Sequence, residues 1–147
     1  MMLIGLLLIP LAAAALIGLA RRRALIELVH TLAGIATLAM GATIVVQVWD
    51  GYVPTASGDL FRVDALSAFM IAIITFLGAI ASLYAVGYIR ADLNGAHLSS
   101  ARLFFALFHL FVFTMLVAVT TDNLGVMWVA IEGTTLATVF LVNLHHT

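Results

Sequence analysis

The chain contains no cysteine and no lysine, and charged residues make up only 9% of it. Without cysteine it has no disulfide scaffold, thiolate metal site, iron–sulfur ligation or cysteine nucleophile. Without lysine it cannot by itself house P-loop, Schiff-base or lysine proton-relay chemistry. The formal net charge of −1 leaves no basic surplus for neutralising phosphates, which argues against a nucleic-acid partner. Hydrophobic residues fill the space that charge leaves, at 65% of the chain, against about 45–50% in soluble globular domains. These 147 residues therefore have the length of one modest domain and the composition of a membrane protein.

A helix needs about 20 apolar residues to cross the hydrocarbon core, where open sheets and irregular backbone are not tolerated. Five segments meet that need, and they predict an all-α polytopic transmembrane helix bundle. They run from Met2 to Ala20, Ala24 to Val48, Asp64 to Ile89, Arg102 to Thr120 and Leu124 to Leu144. The last two are separated by the tight turn Thr121-Asp122-Asn123, so they should pack as an antiparallel pair. A signal peptide would place positive charge before its apolar stretch, whereas Arg21-Arg22-Arg23 follow the first segment, so that segment is expected to remain in the mature protein. Gly51, Pro54, Ser57 and Gly58 mark one loop as turn-forming and Asn94-Gly95 mark another. Ala33, Thr37 and Gly41 form a strip of small residues suited to close helix packing.

Arg21, Arg22, Arg23, Arg90 and Arg102 fall on one side of the membrane and Arg62 on the other. The positive-inside rule then places the N-terminus outside and the C-terminus in the cytoplasm. Trp49 and Tyr52 sit where an aromatic belt would hold the outer end of the second helix, and Tyr84 and Tyr88 approach the inner end of the third.

The few polar groups at depth are the informative ones. Glu132 lies near the middle of the fifth helix, where an acid costs about 2.5–3.5 kcal/mol on insertion scales and so needs a partner or a use. Trp128 lies four residues before it and Thr135 three after. Asn143, eleven on, returns to within about 20° of the same direction, so one stripe collects acid and amide. His109 lies eleven residues before Thr120, and Glu132 eight after Leu124. Their depths then differ by about 4–5 Å, close enough for one hydrated network. No second ligand stands one turn from His109, which disfavours a metal there. Glu27 and His30, near Arg23, read as an interfacial ion pair and cap, and Asp64 as the N-cap of the third helix. His145-His146 are assigned no function.

Asp64-x-Leu66-Ser67 opens a helix that ends Tyr84-Ala85-x-Gly87-Tyr88-Ile89. A Phe-rich fourth helix follows, then Asp122-Asn123-Leu124 and Trp128-Val129-Ala130-Ile131-Glu132-Gly133-Thr134-Thr135. This series resembles the antiporter-like membrane subunits of respiratory complex I, Mrp-type cation antiporters and energy-converting hydrogenases. The Glu132 run is most similar to the hydrogenase-4 and formate hydrogenlyase branch of that family. The likeness extends from about Asp64 onward, while the first two helices match in kind. In that family about fourteen helices contain two inverted five-helix repeats, and protons move by way of a fifth-helix glutamate paired with a later lysine. The resemblance implies that Glu132 is that glutamate, with His109 a further relay group and Trp128, Thr135 and Asn143 supporting it. It divides the single membrane domain into three N-terminal helices (1–100) and the first two helices of a repeat (101–147). The later lysines have no counterpart before Thr147, so the chain reads as an N-terminal portion of a longer subunit.

The expected function is proton translocation, as a subunit or part of one, in a hydrogenase-4 or NADH:quinone oxidoreductase-like complex of the bacterial inner membrane. The expected partners are the other membrane subunits of that redox-driven assembly, membrane lipid, and a proton or Na+. The chain itself is expected to hold no cofactor and no metal. The alternatives are a small structural or assembly membrane protein whose polar residues merely pack, and a small independent transporter whose self-association would bury the Glu132 stripe. The orientation is directly testable: cysteine placed at Ser57 should react with an impermeant maleimide added from outside, and cysteine at Ser99 should not. The opposite labelling pattern would reverse the topology.

Overall fold

The computed structural model describes residues 2–56, 60–92 and 98–146. Its elements run α1 (Met2–Leu19), α2 (Arg23–Trp49), β1 (Thr55–Ala56), β2 (Phe61–Arg62), α3 (Ala65–Asp92), α4 (Leu98–Thr120) and α5 (Leu124–His146). Four helices carry stretches long and apolar enough to cross a membrane: Ala24–Trp49, Ala65–Gly87, Arg102–Thr120 and Leu124–Val142. The first contributes a shorter apolar segment, Leu3–Leu19, at the lower end of the length that a bilayer requires. The result is the all-α polytopic bundle of about five helices that the hydropathy pattern predicts.

Helices α1 to α4 form a closed ring, each packed on the next, with α4 returning to α1. Helix α5 packs on α4 alone among the described elements. Consecutive helices alternate in direction, which brings the ends of α2 and α4 and the starts of α3 and α5 to one end of the bundle. The interior is apolar near both ends. Leu3, Leu6, Ile44, Val63, Ile71 and Leu116 meet at the hairpin end, and Ile17, Ala20, Ile26, Ala85 and Phe105 at the other.

Close approach of α2 and α3 depends on two glycines. A Cβ on Gly34 would fall 2.5 Å from Ser82 Oγ, and one on Gly41 would fall 2.8 Å from both Cγ2 and Oγ1 of Thr75. Both pairs are seven residues apart on their helices, so they fix a single antiparallel register. Ala33 and Thr37 are buried along the same helix, in keeping with a small-residue packing strip. Dispersion across such a seam substitutes for the hydrophobic drive that lipid cannot supply between helices.

The loop between α2 and α3 contains structure that its turn formers do not reveal. Helix α2 ends as Gly51, at φ +92°, lets Tyr52 N–H bond Gln47 O and Gly51 N–H bond Val48 O, both at 3.0 Å. Strands β1 and β2 then pair antiparallel, Thr55 opposite Arg62 and Ala56 opposite Phe61. The hairpin is tied to the α4–α5 turn: Asp122 N–H donates to Leu60 O at 2.8 Å, Thr121 Oγ1 to the same carbonyl at 3.1 Å, and Phe61 bridges Thr121. Two-residue strands are too short to show alternation, so no sequence pattern marks them. The turn formers Ser57, Gly58, Asn94 and Gly95 lie outside the described residues.

Asp64 caps α3 as expected, its Oδ1 accepting from Ser67 N–H at 2.8 Å. That backbone hydrogen bond, with help from Arg62, holds the Asp64 carboxyl below its ordinary range. Its stabilising effect is therefore present at neutral pH and is lost as pH falls through the lowered value. Asn123 caps α5 in the same way, Oδ1 accepting from Val126 N–H at 3.0 Å.

Because Gly41 sets this register, Gly41→Ala should destabilise the bundle by about 1–3 kcal/mol. Gly18→Ala, where an added Cβ meets nothing within 4 Å, should leave it unchanged. Thermal unfolding of the two variants in detergent checks this, and equal midpoints would contradict it.

Candidate proton-relay site

Helix α5 buries a narrow strip of small residues. Ala130 and Ala137 are buried, a Cβ on Gly133 would lie 3.1 Å from Thr114 Cγ2, and Thr134 Oγ1 lies 2.9 Å from Thr114 Oγ1. Packing this strip on α4 turns the opposite side of α5 outward. Glu132 is on that side, exposed together with Gly125 and Trp128, with Trp128 at 66% exposure. Thr135 follows on the same stripe and satisfies its hydroxyl on Ile131 O at 3.1 Å. These residues are exposed together with most of α5, including Val129, Ile131, Leu136 and Val139. The side chains of Asn143, His145 and His146 lie outside the described residues, as does that of Arg23.

His109 occupies the opposite kind of environment. It is 2% exposed in the interior, and its Nε2 lies 2.9 Å from Nδ1 of His30. Equal depth leaves open which way each helix faces. The packing answers that question by placing Glu132 and His109 on different sides of the α4–α5 pair.

His30 departs from the interfacial ion-pair and cap reading. It is fully buried, and its Nε2 lies 3.0 Å from the Ser82 backbone oxygen. Glu27 lies one turn earlier, but the ring's hydrogen bonds go inward to α3 and α4. Phe105 and Phe108 flank it, with ring centroids 4.3 Å and 5.2 Å away. A carbonyl oxygen can only accept, so His30 Nε2 carries the hydrogen. In the neutral pair His30 Nδ1 then accepts from His109 Nε2–H. One buried chain of hydrogen bonds therefore runs from α4 through α2 to α3. Sequence reasoning could not find this pair, because 79 residues separate its members and each looks like an isolated histidine in an apolar helix. Among the described residues no group of three or more His, Cys, Asp or Glu side chains could hold a metal ion.

Comparison with known proteins agrees with the sequence motifs. Residues 60–97 match the family described as NADH-ubiquinone oxidoreductase (complex I), chain 5 N-terminus, a stretch that includes the Asp64 cap and all of α3. The chain is 35% identical over 92 residues to a hydrogenase-4 component F homolog of Methylacidiphilum infernorum, covering 61% of this chain and 19% of that protein. It is 36% identical over 86 residues to NADH-quinone oxidoreductase subunit L of Rhodobacter capsulatus, covering 58% and 12%. A third relative, NADH-ubiquinone oxidoreductase chain 5 of Chondrus crispus, is 31% identical over 87 residues, covering 59% and 12%. The matched regions thus span less than a fifth of these relatives' lengths. The resemblance to the antiporter-like subunits of complex I and hydrogenase-4 holds for this N-terminal region.

Proposed function

We propose that this chain is part of a proton-translocating membrane subunit of a hydrogenase-4 or NADH–quinone oxidoreductase type complex, and that Glu132 carries the exchangeable proton. One observation supports this above the rest. The acid near the middle of an apolar helix stands on the outward face of α5, in a chain similar to subunits of such complexes. A carboxyl group at that depth is costly when charged unless a cation or water meets it. Apolar surroundings favour the neutral acid and a nearby cation favours the carboxylate, so a change in surroundings would load or release the proton. Within this reading, the partner of Glu132 comes from helices seated on the outer face of α5, and Trp128, Thr135 and Asn143 line the same path. The membrane is a bacterial inner membrane, with the N-terminus outside and the C-terminus cytoplasmic, as the arginine distribution favours. The remaining subunits of the redox complex are its partners, and a proton or Na+ is the transported ion.

Glu132→Gln keeps size and hydrogen bonding but fixes the group as neutral, whereas Glu132→Asp keeps the acid and withdraws it by one methylene. In the assembled complex, redox-driven proton pumping normalised to the amount of chain incorporated should fall at least about tenfold in Gln and by an intermediate amount in Asp. Gln pumping like the parent would reduce Glu132 to a packing residue.

A further inference from the structure

The interior hydrogen-bonded histidine pair is not used by the Glu132 mechanism, yet it is the most polar feature enclosed by the ring. We propose that His30, His109 and the small cavity beside them form a site that takes up and holds one proton, delivered by water in the cavity. The proposal stands whether or not Glu132 carries a proton.

Three observations combine. The Ser82 carbonyl fixes the direction of the hydrogen-bond chain, so both neutral rings carry hydrogen on Nε2 and the ring nitrogen with a free lone pair is His109 Nδ1. A cavity between α2, α3 and α4 has His109, Thr37, Thr75 and Ser82 as its polar lining among otherwise apolar residues, and it reaches His109 but not His30. It leaves about 10 Å³ for the centre of a water molecule, close to the room that one water needs. Finally, the lining hydroxyls donate to carbonyls of their own helices. Thr37 donates to Ala33 at 2.7 Å, Thr75 to Ile71 at 2.7 Å and Ser82 to Gly78 at 2.8 Å. With its one hydrogen committed, each of these hydroxyls has only acceptor capacity left to offer. A cavity whose polar groups can only accept favours a proton-rich species over an anion.

The chemistry balances simply. A protonated water gives its proton to His109 Nδ1, where an N–H bond forms as the O–H bond breaks, leaving neutral water. The His109 Nε2 proton can then cross the 2.9 Å contact to His30 Nδ1, so that the positive charge is shared between the rings. Transfer stops there, because a backbone carbonyl cannot accept a proton covalently. The site is a store that fills and empties through one mouth, unlike a wire.

Few charges bear on it. Glu27 stands one turn before His30 on α2, and Arg102 two turns before His109 on α4. Helix α1 carries no charged residue, and neither does α3 over residues 65–83.

Nitrogen-15 NMR of histidine-labelled chain in lipid bilayers, scanned from about pH 8 to about pH 4, tests the site. Both rings should start as Nε2–H tautomers, change together, and take up one proton per chain. In His109→Gln, the His30 signal should no longer titrate with the parent's midpoint. Thr75→Val preserves shape but removes one lining acceptor, so uptake should move to lower pH. Two independent one-proton titrations, an unchanged His30 titration in His109→Gln, an unmoved midpoint in Thr75→Val, or rings that stay neutral across the whole range would each overturn the proposal.

Discussion

Hydrocarbon offers no hydrogen bonds, so every polar group that this chain carries to depth must find its partner within the protein. That requirement organises the bundle. The hydroxyls of Thr37, Thr75, Ser82 and Thr120 fold back onto carbonyls of their own helices. They can then lie in helix seams where a free hydroxyl would be costly. The two buried histidines satisfy each other and Ser82, joining three helices through one chain of hydrogen bonds. Glycine makes this possible, since only Gly34 allows α2 close enough to Ser82 for the imidazole of the same helix to reach the α3 backbone.

Glu132 stands outside this arrangement. The inner side of α5 is a strip of alanine, glycine and threonine fitted to α4, with no room for a carboxylate. The acid therefore lies on the outward face, beside Trp128 and Thr135. The bundle thus separates two kinds of polar chemistry: a buried pair of imidazoles inside the ring, and a carboxyl group on a face that the described helices leave uncovered. The packing of that strip on α4 keeps these two apart, while the hairpin ties down the α4–α5 turn.

Helix number and approximate helix limits were legible in the sequence because hydropathy is a local property. The Asp64 cap was legible for the same reason, since the carboxylate and the Ser67 amide are three residues apart. The hairpin was not, because strands of two residues have no period to detect. Nor was the position of His30, whose neighbours Glu27 and Arg23 suggest an interface while its bonding partners lie on α3 and α4. Depth could be counted along α4 and α5, but the side of each helix that faces inward depends on packing. His109 and Glu132 therefore looked closer to one network than they are.

Among the described residues the mid-helix acid faces out of the bundle, and the buried histidine chain ends at the Ser82 carbonyl. Proton uptake by the chain alone, reconstituted in lipid vesicles under an imposed potential, tests this claim most directly. Vesicles no leakier to protons than protein-free ones are the expected result. Robust uptake that Glu132→Gln abolishes would contradict it.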